Sequence, residues 1–290
     1  MARVAVLPGD GVGPEVIEAA LETLPSRFET TFVDAGAARY LDSGETLTEA
    51  ELAVIGSCDA LLLGAVGDPR VPPGVLEREI LLRLRSELDL YVNLRPFPQL
   101  GITFVRENTE GLYAGAGERR GDLATEVSIN TRERVARCIR YAFELAAPEA
   151  RKVTLVHKTN VLVNAGGLYG EVFEEYARAY PGVETSYEHV DAAAYHLVTG
   201  PERFEVVVTD NLFGDILSDL AAGLAGGLGK AASANLHPDR STRPTRCLGL
   251  FEPVHGSAPD IAGKGIADPT AAIEAVNMLV AAVDRETVAA

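Results

Sequence analysis

The sequence predicts an α/β fold built on a largely parallel sheet. Short apolar runs alternate with longer amphipathic segments along most of the chain, the pattern of successive strand–helix units. The β-branched run Val206-Val207-Val208 ends at Thr209 and passes directly into a helical segment, as a buried strand feeding a helix does. No internal repeat or low-complexity tract interrupts this alternation.

In chain order, Val4-Ala5-Val6-Leu7 centres a strand over 3–7, and Pro14, suited to a first helical turn, opens a helix over 14–24. Further units are predicted at 28–33 with 48–55 and at 59–63 with 75–88. The middle holds short strands near 102–106 and 125–129, then an amphipathic helix over 131–146 ended by Pro148. Units at 152–157 with 165–179 and 204–209 with 214–224 follow. A Gly/Pro-rich stretch from about 249 to 269 reads as one long functional loop before a last helix over 269–283.

The chain has 290 residues, 47% of them hydrophobic, enough for one large domain or two ordinary ones. No apolar run reaches membrane-spanning length, and the first strand begins at once, which argues against a membrane span or a signal peptide. Cys58, Cys138 and Cys247 are far apart and lack metal-ligand spacing, as in a reducing cytoplasm. The net charge of −16 disfavours nucleic acid and anionic membranes as partners, while local arginines can still attract an anionic small molecule.

Several segments carry chemistry. Gly9-Asp10-Gly11-Val12-Gly13-Pro14-Glu15 invites a dinucleotide-binding assignment, but Pro14 stands where that fingerprint needs its third glycine, so a structural tight turn is the better reading. Asp215 and Asp219 are one helical turn apart; such a pair either favours the helix dipole or holds a hard divalent cation. Arg85, Arg95 and Arg106 each read singly as members of structural ion pairs; together they can hold a polycarboxylate through guanidinium forks. Lys158 and Asn160 end a strand, Tyr113 lies seven residues after Arg106, and Asp191 follows the strand-like Tyr187–Val190. Strand ends of parallel sheets are where ligands sit, and a lysine there is either a surface charge or a base. In Glu252 to Gly265, His255 and the flanking amides are candidates for phosphate contact, and Asp260 for a ribose diol, where it repels a 2′-phosphate.

Taken in order, these segments resemble the β-decarboxylating 2-hydroxyacid dehydrogenases, the family of isopropylmalate, isocitrate, homoisocitrate and tartrate dehydrogenases. The similarity runs from Arg3 to Met278 and rests on Leu7 to Glu15, Asn93-Leu94-Arg95-Pro96, Val105 to Gly111, His157-Lys158-Thr159-Asn160, Asp210 to Leu220 and Phe251 to Gly265. It implies that family's two-domain α/β sandwich rather than a Rossmann fold, with domain 1 at 1–90 plus 226–290 and domain 2 at 91–225. It implies NAD and Mg²⁺ or Mn²⁺ as cofactors, a small 2-hydroxy dicarboxylic acid as substrate, and a homodimer with shared active sites. Tyr113 and Lys158 match the acid–base pair. Arg85, Arg95 and Arg106 match the carboxylate-binding arginines, and Asn160 is expected to bind substrate as well. Asp215 and Asp219 match the metal ligands of one subunit, and Asp191 matches the ligand from the other. His255, Gly256, Ser257, Ala258, Asp260 and Ile261 match the adenosine-binding loop; Asp268 stands where many relatives have Asn at an adenine contact.

Gly64 to Pro69 and Val75 to Arg78 look most like the bacterial branch acting on 3-isopropylmalate in leucine biosynthesis. Leu81 and Leu82, three and four residues before Arg85 on one predicted helix, are expected to meet its isopropyl group. The alternatives are the same chemistry on tartrate, malate or homoisocitrate, and, from another class, a non-catalytic subunit on the same fold. The connection between Arg95 and Arg106 and the arm from Gly115 to Ser128 are both shorter than the family's usual ones.

Overall fold

The structure, a computed structural model, describes residues 1–288 and divides the chain into two compact units. Unit 1 comprises Met1–Leu90 and the segment from Gly227 onward, and unit 2 comprises Tyr91–Gly226. Unit 1 starts with β1 (Ala2–Gly9), α1 (Gly13–Leu21), β2 (Phe28–Phe32), α2 (Ala37–Ser43), α3 (Glu49–Ser57) and β3 (Ala60–Ala65). A π-helical turn, Glu77–Leu82, then runs into α4 (Arg83–Glu87). Unit 2 holds β4 (Val92–Phe97), β5 (Ile102–Glu107), β6 (Gly111–Arg120), β7 (Leu123–Ile129), α5 (Arg132–Ala146), β8 (Val153–His157), α6 (Val163–Ala179), β9 (Thr185–His189), α7 (Val190–Thr199), β10 (Val206–Thr209) and α8 (Asn211–Leu224). The chain returns to unit 1 with β11 (Ala232–Leu236), β12 (Gly249–Pro253) and α9 (Thr270–Val288).

In unit 1 the strands run β2-β1-β3-β12-β11. β1 is parallel to β2 and β3, β3 is parallel to β12, and only β11 is antiparallel to its neighbour. The near-continuous apolar runs of β1 and β3 follow from burial on both faces. In unit 2 the order is β4-β5-β10-β8-β9, parallel except for the β4–β5 pair. Its core centres on α5, whose Val135, Cys138, Ile139, Ala142, Phe143 and Ala146 form one buried stripe at helical spacing. β6 and β7 form a separate two-stranded ladder, and every residue of β7 is exposed. No helix among the described residues is long and apolar enough to cross a membrane.

Four departures from the sequence reading matter for function. The expected helix over 75–88 is a π-helical turn followed by a short α-helix, so Leu81 and Arg85 do not share a regular helical face. Leu81 instead packs against the core of unit 1, while Leu82 is half-buried. The Gly/Pro-rich stretch begins with a buried strand, β12, before it becomes a loop. β4 was hidden because Asn93, Arg95 and Pro96 break the apolar pattern of a strand. α7 follows β9 with no connecting loop, which puts Asp191 in a first helical turn.

Candidate active site

The short connection after Pro96 closes a tight hairpin. Leu100 N donates to Phe97 O at 3.0 Å, and Gly101 takes a left-handed φ of 70°. The register pairs Asn93 with Arg106 and Arg95 with Phe104. Directly opposed and diagonal residues share one face of an antiparallel pair, so Asn93, Arg95 and Arg106 point the same way.

Helix α8 lies over that face. Asp210 caps it, its Oδ1 accepting from Phe213 N at 2.8 Å. Gly214 is where helix and strand meet most closely: a Cβ there would stand 2.7 Å from Arg106 Cγ and 2.9 Å from its Cβ. Asp215 and Asp219 therefore reach the guanidinium groups. Arg95 Nη1 is 2.9 Å from Asp219 Oδ1, Arg95 Nη2 is 3.2 Å from Asp215 Oδ1, and Arg106 Nη1 pairs with Asp215 Oδ1. Tyr113 Oη donates to Asp215 Oδ2 at 2.6 Å, and its ring lies 5.1 Å from the Arg106 guanidinium carbon.

Each arginine is aimed by an amide carbonyl that the sequence reading passed over. Asn93 Oδ1 accepts from Arg95 Nε at 2.9 Å, and Ser218 Oγ accepts from Arg95 Nη1 at 2.8 Å. Asn211 Oδ1 accepts from Arg106 Nε at 2.9 Å and from Nη2 at 2.6 Å. Both asparagines lie inside motifs already singled out; the missing signal was the hairpin register. The Arg95 and Arg106 side chains are 7% and 1% exposed, whereas Asp215 and Asp219 are 33% and 49% exposed. The guanidiniums are thus a fixed floor and the carboxylates face solvent. Burial works against the charged form of Asp215, but Arg106, the Tyr113 hydrogen bond and Arg95 outweigh it, and its pKa lies below the ordinary carboxylate value. At Asp219 burial prevails, aided by the Asp215 charge and opposed by Arg95, and the pKa is raised.

Lys158 and Asp191 form a second group. They follow the parallel neighbours β8 and β9, whose register pairs His157 with His189, and Lys158 Nζ is 2.5 Å from Asp191 Oδ1. Asn160 is exposed in the turn beyond Lys158. Among the described residues, no set of three His, Cys, Asp or Glu side chains converges on a possible metal position. Asp191 is therefore not brought to Asp215 and Asp219 within one chain.

Unit 1 carries the remaining residues. Arg85 is buried, with Nη2 3.3 Å from Glu252 Oε1, and Asn235 Nδ2 donates to the same oxygen at 2.8 Å. The loop from His255 to Ile261 packs on the turn after β1: Val12 N donates to Ser257 O at 2.8 Å, and a Cβ on Gly11 would stand 1.9 Å from that oxygen. Gly11 (φ 60°) permits this approach. Ala258 takes a left-handed φ of 39°, Gly256 and Asp260 are exposed, and Ile261 is half-buried. His255 Nε2 and Glu15 Oε1 are buried atoms without a hydrogen-bond partner among the described residues, which suits a site completed by a polar ligand. Asp268 Oδ1 accepts from Thr270 N at 3.0 Å, so its side chain is engaged at the start of α9.

Comparison with known proteins agrees with this architecture. The 3-isopropylmalate dehydrogenase of Corynebacterium efficiens is 52% identical over 299 residues, covering 96% of this chain and 86% of that protein. The 3-isopropylmalate dehydrogenase of Rhodococcus opacus is 50% identical over 305 residues, covering 98% of this chain and 89% of that protein. Among solved structures, isocitrate dehydrogenase from Methylococcus capsulatus superimposes with a TM-score of 0.87 at 40% identity, covering 98% of this chain and 88% of that one. The β-decarboxylating dehydrogenase from Thermococcus kodakarensis, in its apo form, gives 0.82 at 42% identity, covering 98% and 84%. The family described as isocitrate/isopropylmalate dehydrogenase matches residues 3–290, and the chain belongs to it.

Proposed function

We propose that the chain is a cytoplasmic 3-isopropylmalate dehydrogenase, which oxidises and decarboxylates 3-isopropylmalate to 2-oxoisocaproate with NAD and a divalent cation. The observation that carries this reading is the cluster on α8. Two buried arginines and a tyrosine converge on two partly exposed carboxylates one helical turn apart. The relatives named above supply the substrate.

The donor set fits Mg²⁺ or Mn²⁺. Asp215 and Asp219 offer hard carboxylate oxygens toward solvent, and such ions bind through one or two carboxylates plus substrate. When bound, the cation would supply Lewis acidity to the substrate and NAD would supply the hydride-accepting chemistry. The residues of the chain do the rest. Arg95 and Arg106 orient the malate carboxylates in a fixed plane; the family resemblance assigns Arg85 to carboxylate binding as well. Lys158 takes the proton of the C2 hydroxyl, and Tyr113 returns a proton to C3 after CO₂ departs. The loop from His255 to Ile261 binds the adenosine half of NAD, with Asp260 at the ribose diol.

Selectivity follows from available charge. A substrate with a third carboxylate needs a further cation near the C3 substituent. Arg83, beside Leu82, is already held by Glu49 and by Leu47 O. A carboxylate left without a partner loses several kcal/mol of hydration, whereas an isopropyl group is welcome against Leu82. Leu81 is partly buried and packs against the core of unit 1.

The active unit is a homodimer with composite sites. Lys158 and Asp191 form one group, and the α8 carboxylates with Tyr113 form another. Unit 2 also exposes Val161, Val163, Tyr195, Val198 and Ile216 at 57–65%, apolar side chains that a subunit interface would cover. The β6–β7 ladder pairs with no other strand and every residue of β7 is exposed; a two-stranded ladder is marginal in water, and a second subunit would support it. The test of function is NADH formation with Mg²⁺ across 2-hydroxy di- and triacids. A specificity constant for 3-isopropylmalate ~10³ above that for isocitrate is expected from an unpaired carboxylate costing several kcal/mol; equal constants would refute the assignment.

A further inference from the structure

We propose that the Tyr187 hydroxyl is a positioning group for Lys158, clamping the turn that carries it; the inference rests on Lys158 being the base. β9 is the edge strand of its sheet, and Tyr187 stands opposite Leu155 on β8. Lys158 lies just past the end of β8, beyond the last strand pairing. The Tyr187 phenol reaches over this end. Its oxygen accepts from Thr159 N at 3.1 Å, lies 2.9 Å from Thr159 Oγ1, donates toward His157 O at 3.1 Å, and is 2.8 Å from His189 Nδ1. The residues on either side of Lys158 thus meet at one oxygen atom. A phenol has one proton and two acceptor sites. Thr159 N fills one acceptor, the Thr159 hydroxyl and His189 Nδ1 can each donate or accept, and the single phenol proton serves one of the remaining partners, His157 O among them.

Helix α6 backs the turn as well. A Cβ on Gly166 of α6 would stand 2.7 Å from Thr159 Cα, so the helix backbone leaves the turn no room to relax inward. Tyr187 and Gly166 both restrain Thr159. Tyr187 is itself 39% exposed, so core packing does not explain its hydroxyl contacts. What the clamp fixes is the root of a long, flexible side chain whose amine meets Asp191. A base displaced by about 1 Å loses up to ~10²-fold in rate.

The test is a single-turnover measurement, with enzyme in excess over 3-isopropylmalate and with NAD and Mg²⁺ saturating. Tyr187→Phe should lower the rate constant about tenfold while leaving the amplitude, and both KM values in a parallel steady-state assay, within about twofold. Thr159→Val should slow it less, about threefold, and the double variant should be no slower than Tyr187→Phe, because both lesions open one clamp. A merely structural tyrosine would lower the amplitude or the melting temperature and leave the rate constant alone. Amide exchange at Thr159, expected to quicken at least about tenfold in Tyr187→Phe, reads the clamp without turnover. Wild-type enzyme that turns over no hydroxy diacid refutes the functional reading. A normal rate constant in Tyr187→Phe, or unchanged exchange at Thr159, overturns the clamp.

Discussion

Replacing Gly214 by alanine sets two effects of opposite sign against each other. Gly214 lies inside α8, where alanine ordinarily gains about 0.5–1 kcal/mol over glycine through backbone entropy. The new Cβ would stand 2.7, 2.9 and 3.0 Å from Arg106 Cγ, Cβ and Cδ, well inside ordinary van der Waals contact. Arg106 cannot swing away, because it is buried and its head is held by Asn211 and Asp215. Overpacking of this kind costs about 1–3 kcal/mol, so the net change is a destabilisation of up to ~2 kcal/mol. Activity should suffer more than stability. A guanidinium pushed by a few tenths of an ångström to 1 Å loses its alignment with a substrate carboxylate, and misplacement on that scale costs up to ~10²-fold. Urea unfolding and kcat/KM for 3-isopropylmalate measure the two effects. A Gly214→Ala enzyme that is more stable than wild type, with kcat/KM within twofold, would refute the claim that this glycine makes room for Arg106.

Three further outcomes are expected. NAD should be preferred over NADP by about tenfold or more, since an uncompensated charge clash at Asp260 costs at least ~1.4 kcal/mol; Asp260→Ser should narrow the gap, and equal specificity constants in wild type would place Asp260 away from the ribose. Exhaustive chelation should abolish turnover. Because Arg95 and Arg106 now neutralise the carboxylates that a cation would take over, Mn²⁺ and substrate should tighten each other's binding reciprocally, by about 5-fold or more in calorimetry; independent binding would contradict this exchange. The third outcome concerns pH. Burial raises Asp210 to about 6 and lowers its neighbour His157, 3.6 Å away, to about 4. Stability from Asp210 is present below its unfolded value and lost as pH rises through about 6, whereas that from His157 is present above its unfolded value and lost as pH falls through about 4. The two slopes oppose each other, so His157→Phe should lose stability relative to wild type as pH rises from 4 to 6. A pH-independent difference in urea midpoints would show that the pair is not balanced in this way.

Much of this was legible in the sequence because strand–helix alternation and motif chemistry are local. The carboxylates one turn apart on α8 and the lysine at the end of β8 needed only spacing and residue type. What the sequence hid depends on register and on competition for side chains. Arg95 and Arg106 share a face only because the turn at Pro98 to Gly101 pairs Asn93 with Arg106. The roles of Asn93 and Asn211 follow from that pairing and have no separate signature. The π-helical turn changes the phase of Leu81 and Leu82 relative to Arg85, which a regular 3.6-residue repeat could not show. Asp268, a candidate for adenine, is engaged by Thr270 at the start of α9. β12 lay concealed in a Gly/Pro-rich stretch whose first residues are buried.

The composite active site is tested most directly by subunit mixing. Lys158→Ala removes the base from one group, and Asp215→Asn removes a carboxylate from the other; each homodimer should be inactive. In a heterodimer, one site combines the intact Asp215 of the first variant with the intact Lys158 of the second, while the other site carries both lesions. Random refolding of equal amounts makes half the dimers mixed, so about one quarter of wild-type activity should return. Recovery near that level supports a site built from two chains; no recovery, in mixtures where wild type refolds fully and dimers exchange, would contradict it.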